Sequence, residues 1–142
     1  MHIDFLGVET NGKIDSAHEP KPPQVEKAIA GLDGDAHTLV ICHAIPDSFL
    51  LVGGGKSGWC ILSVIIKQKE FYCLLNPAPA APGIPDQVKL KVNGAEGLYP
   101  KEMLIPKPLA LKVAKPFCEK GEIDPSLKWR AENLDVKWEP PS

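Results

Sequence analysis

Between residues 37 and 76 the chain carries four apolar runs in quick succession: HTLVICHA, SFLLVGG, WCILSVIIK and EFYCLLN. They are short, rich in β-branched and aromatic residues, and separated by turn-forming stretches, which marks them as strands. Several are apolar at both alternating sets of positions, with Val40 and Cys42 on one side and Leu39 and Ile41 on the other. A strand with no polar face is covered on both sides or central in its sheet. KQKE at 67–70 reads as a charged hairpin turn, with lysines that discourage edge pairing.

Two helix candidates can supply cover. In PPQVEKAIAGLDG, Val25, Ile29 and Leu32, with Ala28, give the spacing of one buried stripe. Proline suits the first helical turn, and Gly31 or Gly34 ends the run. In KPLALKVAKPFCEKG the stripe is Ala110, Val113, Ala114, Phe117 and Cys118, opened by Pro108 and closed by Gly121. Pro116 lies inside it, and an interior proline costs about 3 kcal/mol, so the expectation is a kink or two shorter pieces. HIDFLGV at 2–8 reads as a strand ending at a turn around Asn11-Gly12, and KIDSAHEPKPP as a loop. QVKLKVNG alternates, with Val88, Leu90 and Val92 inward and Lys89 and Lys91 outward, as in a half-solvated antiparallel strand. A further short strand is expected at 102–105, a Pro/Ala surface connection at 76–86, and an irregular tail anchored by Trp129. The order predicts one α+β domain over 1–142: a mainly antiparallel sheet of about five to seven strands, with two helices packed on one face.

The 142 residues carry a net charge of −2, which does not mark a nucleic-acid or anionic-membrane binder. The charge is uneven. Residues 1–55 hold eight acids and three lysines, a sum of −5, whereas residues 56–118 hold nine lysines and four acids, a sum of +5. Cys42, Cys60, Cys73 and Cys118 form no C-x-x-C pair and sit in apolar runs, so they read as reduced, buried, small hydrophobes. The opening MHIDFLGVETNGK has neither a basic start nor a long apolar region, and no run approaches the roughly 18 apolar residues needed to span a bilayer. The expected location is cytoplasmic.

LLVGGGKSGWC at 50–60 invites comparison with a phosphate-binding loop. If Gly55-Lys56-Ser57 ended such a loop, a glycine would have to stand where Leu50 is. A helix would also have to follow, and the next residues are shaped like a strand. The stretch reads instead as a glycine turn between strands, with Lys56 and Ser57 at an exposed tip and no ligand. The histidines suggest no metal: His37 and His43 are six residues apart along one run, near 20 Å at about 3.3 Å per residue. Cys42 and His43 point to opposite faces, and a Cys–His couple assembled from distant residues, such as Cys73 with His37, stays open. DGD at 33–35 lacks the remaining calcium-loop ligands. KLKVNG with Lys101 and Lys107 lacks the aromatic array of a single-strand binder. No cofactor motif is present.

VGGG at 52–55, FYCLLNP at 71–77, VKLKVNGAEGLYP at 88–100 and LIPKPLALKVAKPFCEKGEIDPSLKW at 104–129 follow one another in a definite order. This series, over roughly residues 37–130, resembles the first-numbered immunity-protein family of bacterial polymorphic toxin systems. AKPFCEKGEIDPSLKW carries most of the resemblance. Pro116 and the proline-rich loop at 77–85 depart from the family pattern. The resemblance implies a non-enzymatic cytosolic protector, with no cofactor, that binds the C-terminal domain of a cognate secreted toxin. Such toxins are often deaminases or nucleases acting on nucleic acid, and the protector covers the active-site cleft, commonly with acidic groups. The acidic first part of this chain, with Asp33, Asp35 and Asp47, is then the candidate contact region. The alternatives are a small enzyme with a Cys/His site assembled in the fold, or an accessory subunit of a larger complex.

Overall fold

The computed structural model describes residues 3–44, 48–67, 70–77 and 83–132. In chain order the elements are β1 (Ile3–Thr10), β2 (Lys13–His18), α1 (Pro22–Ala30), β3 (Leu39–Ala44), β4 (Ser48–Gly54), β5 (Trp59–Ile66), β6 (Glu70–Leu74), β7 (Gln87–Val92), β8 (Ala95–Pro100), β9 (Ile105–Pro106), α2 (Lys107–Lys120) and β10 (Trp129–Glu132). Seven strands form one row, β10-β6-β5-β4-β3-β1-β2, with β9 added to β5. Every pairing is antiparallel. β7 and β8 make a separate two-stranded ribbon. This is an α+β fold with a mainly antiparallel sheet, as the pattern of runs predicts.

Alternation divides the residues of the central strands between two covers. Val40, Cys42, Ala44, Leu50, Val52, Cys60, Leu62, Val64 and Leu74 join one apolar cluster with Val25, Ile29 and Leu32 and with Ala110, Val113, Ala114, Phe117 and Cys118. Both helices therefore lie on one face, and both expected stripes are the buried ones. Lys107, at the start of α2, donates from Nζ to the carbonyl of Ala30 at 2.9 Å, satisfying a carbonyl at the end of α1. The alternate positions, Leu39, Ile41, Leu51, Ile61 and Ile65, are buried on the opposite face. There the ribbon sends Val88, Leu90 and Val92 inward, with Leu90 packed beside Ile61, Met103 and Leu104. A side chain on Gly53 would come within 2.7 Å of Val92 Cγ1, so the bare glycine is what lets the ribbon settle onto β4.

Four elements differ from the sequence reading. KIDSAH is not loop but β2, the edge strand paired with β1 through the two-residue Asn11-Gly12 turn. AEGLYP is β8, whereas Lys101–Met103 is a 3₁₀ turn and only Ile105–Pro106 pairs with β5. The tail expected to be irregular from 130 opens instead as strand: Trp129–Glu132 pairs with β6, and 133–142 lie outside the described residues. Trp129 is an anchor as expected, its Nε1–H donating to the carbonyl of Asp124 at 2.8 Å. Finally, α2 runs through Pro116 as one helix of 14 residues. The proline removes the bond that would reach the carbonyl of Lys112, an exposed residue that can turn that carbonyl to water.

The glycine run behaves as a turn. Gly54 and Gly55 have φ of 91° and 107°, Lys56–Gly58 form a 3₁₀ turn, and β5 follows at Trp59. Lys56 and Ser57 are exposed. Gly55 passes so close to the preceding loop that a Cβ would meet the Leu32 carbonyl carbon at 2.5 Å. Close approach and positive φ both demand glycine here.

Candidate functional site

Asp33 and Asp35 lie in the loop between α1 and β3, and both are exposed. One oxygen of Asp33, Oδ1, accepts the backbone N–H of Asp35 at 2.9 Å and that of His37 at 3.0 Å. The Asp33 and Gly34 N–H groups in turn donate to the carbonyl of His37 at 3.1 and 3.3 Å. The N–H of His37, then that of Asp35, holds the Asp33 carboxyl below its ordinary value. The DGD stretch is thus a closed turn after the first helix. It is braced from outside by the glycine run, since a Cβ on Gly34 would lie 2.6 Å from the Lys56 nitrogen. Asp47 lies outside the described residues. Its flanks, Ala44 and Ser48, pair at the opposite end of β3 from the Asp33–His37 turn.

Beneath the turn is a carboxylate that the sequence reading missed. Glu9 is completely buried. Its Oε1 accepts the N–H of Thr38 at 3.1 Å and the Thr38 hydroxyl, and its Oε2 accepts the N–H of Gly12 at 2.9 Å. Thr38 Oγ1 accepts the N–H of Gly94 at 2.9 Å. Beside it, Thr10 Oγ1 and His37 Nδ1 are 3.1 Å apart. One buried acid therefore ties together the β1–β2 turn, the residues entering β3 and the turn of the ribbon. With three donors to its two oxygens, this side chain can stay buried, because both oxygens exchange water for hydrogen bonds within the protein. In sequence, Glu9 is one acid beside an Asn-Gly turn and carries no signal of this role.

At the other end of the sheet, His43 Nδ1 lies 2.6 Å from Asp4 Oδ1. The ring of His43 packs on Phe49 with centroids 4.8 Å apart, and Phe5 meets His18 edge-on at 6.0 Å. His37 and His43 are thus separated, as their spacing predicts. Cys73 and His37 are not brought together. Cys73, Ser63, Leu51 and Ile41 stand opposite one another on four adjacent strands. Three strand spacings, about 14 Å in all, divide Cys73 from the strand that His37 precedes. Among the described residues no three His, Cys, Asp or Glu side chains are grouped to hold a metal ion, and no helix is long and apolar enough to cross a membrane.

The residues that carry the family resemblance shape the fold. Phe117 is fully buried, Gly121 caps α2, and Asp124 Oδ1 accepts from the N–H and hydroxyl of Ser126 at 2.9 and 2.6 Å. Compared with known proteins, the chain matches no family model and no curated sequence.

Proposed function

We propose that this protein is an immunity protein: it binds the toxic domain of a cognate secreted bacterial toxin and blocks its active site, without catalysis of its own. The observation that carries the reading is the acidic turn. Asp33 and Asp35 are exposed on a loop that is closed by its own hydrogen bonds and buttressed by the glycine run. A toxin that acts on nucleic acid, such as a deaminase or nuclease, needs a basic cleft for the phosphate backbone. A preformed anionic projection suits such a cleft, because little ordering entropy is lost on binding and opposite charge speeds encounter. The ordered resemblance over residues 37–130 supports the same reading, with Phe117, Gly121, Asp124 and Trp129 as its framework. The expected partner is a protein, not nucleic acid or membrane, and the expected location is the cytoplasm.

The test is protection. The toxin domain encoded beside this chain, produced in cells with and without it, should kill only the cells that lack it, and the two proteins should co-purify. Killing that is unaffected, with no co-purification, overturns the pairing. An adjacent metabolic operon with no toxin-like reading frame would argue against the class.

A further inference from the structure

His18, Phe5, His43, Phe49, Ile65 and Phe71 stand opposite one another on β2, β1, β3, β4, β5 and β6. This row lies on the ribbon side of the sheet, where Ile65, Phe49 and Phe71 pack with Ile41 and Leu51. The ribbon crosses the other end of the strands. Val92 packs at Gly53, and the N–H of Gly94 donates to Thr38, just before β3. Val92 is what the ribbon adds to the group of Ile41, Leu51 and Ile65. Within the row Ile65 is 7% exposed, whereas Phe5, His43, Phe49 and Phe71 are each partly exposed. Three phenyl rings in line across the strands make an apolar strip, and such strips mark docking surfaces.

The chain itself arrives at one end of this strip. β10 is the strand beyond β6, and Glu132 stands opposite Phe71, so the row runs on to the last position of β10. The ten residues that follow are NLDVKWEPPS. Leu134, Val136 and Trp138 alternate with Asp135 and Lys137. In an extended segment this alternation puts three apolar side chains on one side and the two charges on the other. Asn133 suits the corner between β10 and such a segment, because asparagine tolerates turn conformations. An extended chain advances about 3.3 Å per residue, so Asn133 to Trp138 spans about 17 Å. Strands are about 4.8 Å apart, which puts β4 about 14 Å and β3 about 19 Å from β10.

We propose that residues 134–138 are a strap that docks across this row, with Leu134 on Phe71, Val136 on Ile65 and Trp138 over Phe49 and His43. The occupant is the protein's own segment for three reasons. It starts at the edge of the strip, so the tether holds it there at an effective concentration on the order of millimolar. Its apolar residues fall on one side, and its reach matches the distance to the Phe49–His43 pair. Asp135 and Lys137 stay in water, so no charge is buried. Trp138 joins an aromatic contact that is already formed, since the rings of His43 and Phe49 are 4.8 Å apart. The ribbon side then has two covers, the ribbon over one end of the strands and the strap over the other. This inference is independent of the proposed toxin partner.

The test is nuclear magnetic resonance on the full-length wild-type protein. The expected result is a set of nuclear Overhauser contacts from the Trp138 indole to the Phe49 ring and from the Val136 methyls to Ile65. They should persist on dilution and be absent between labelled and unlabelled copies in a mixed sample. In Trp138→Ser, hydroxyl-radical labelling of Phe49 should rise at least about twofold with Phe117 unchanged, because a docked indole screens a large area. If that variant fails to fold, the wild-type contacts decide alone. The proposal is overturned if Trp138 makes no contact with the sheet, or if its contacts are to Val25 and Leu111 in the groove between the helices. Contacts that arise only between two copies, or equal labelling of Phe49 in the folded variant and the wild type, overturn it as well.

Discussion

On the helix side of the sheet, one apolar cluster runs without interruption from Ile3 on β1 to Leu74 on β6 and takes in both helices. On the ribbon side the apolar residues fall into two smaller groups, one under the ribbon around Leu90 and one around Ile41 and Leu51. Polar groups lie within that second side: Glu9 and Ser63 are buried there, and His43 packs on Phe49. The difference separates two tasks. Continuous packing on the helix side supplies stability, since buried apolar area is the main favourable term in folding. The ribbon side supplies shape, because hydrogen bonds to a buried acid fix where three turns stand relative to one another.

Truncations should divide along this line. The largest effect is expected from Phe117→Ala on the helix side, where removing a fully buried ring should cost about 3–5 kcal/mol in denaturant unfolding. A loss below about 1 kcal/mol would mean that the helix layer is not where stability resides. Glu9→Gln comes next. It puts an amide donor against the N–H of Gly12 or the groups of Thr38, and should cost about 1–3 kcal/mol. It should also speed amide exchange at Gly12, Thr38 and Gly94 more than in α2, and uniform acceleration would count against a local brace.

Smaller effects should come from the surface. Asp33 has a carboxyl held below the 3.8 of an ordinary aspartate, so its contribution to stability is present above that value and fades as pH falls through the lower folded one. Stability of Asp33→Asn should therefore fall less steeply with acid than that of the wild type, and parallel curves would remove the N–H bonds as a source of stability. Leu98, the most exposed large apolar residue of the ribbon, should tolerate Leu98→Ser within about 0.5 kcal/mol. A larger loss would show that the outer face of the ribbon is covered.

The helix side was also the more legible in sequence. A period of 3.6 picks out α1 and α2, and short unbroken apolar runs pick out the strands from β3 to β6, because burial leaves a pattern in the chain; on the ribbon side only β7 shows one, by its alternation. β2 left none: KIDSAH is an edge strand whose residues are mostly exposed on both faces, so it reads as loop. β8 hides for a similar reason, since its one large aliphatic residue, Leu98, points to solvent and Gly97 interrupts it. β10 is recognisable only through its partner β6. Pro116 misled in the other direction, because the bond it removes belongs to an exposed turn of α2. At the candidate site, the turn chemistry of Asp33 follows from its neighbours in sequence. The support from Glu9 depends on Thr38 and Gly94, which are 29 and 85 positions away from it.

In the proposed function, the braced acidic turn meets a basic toxin cleft. The most direct measurement is calorimetric titration of the adjacent-frame toxin domain with wild-type protein and with Asp33→Lys/Asp35→Lys, at low and high salt. Wild-type binding should weaken with salt, and the variant should fold normally but bind at least about tenfold more weakly at low salt, with a shallower salt dependence. Equal affinity and equal salt dependence in the two proteins would contradict the role of the turn, and absence of wild-type binding would contradict the function itself.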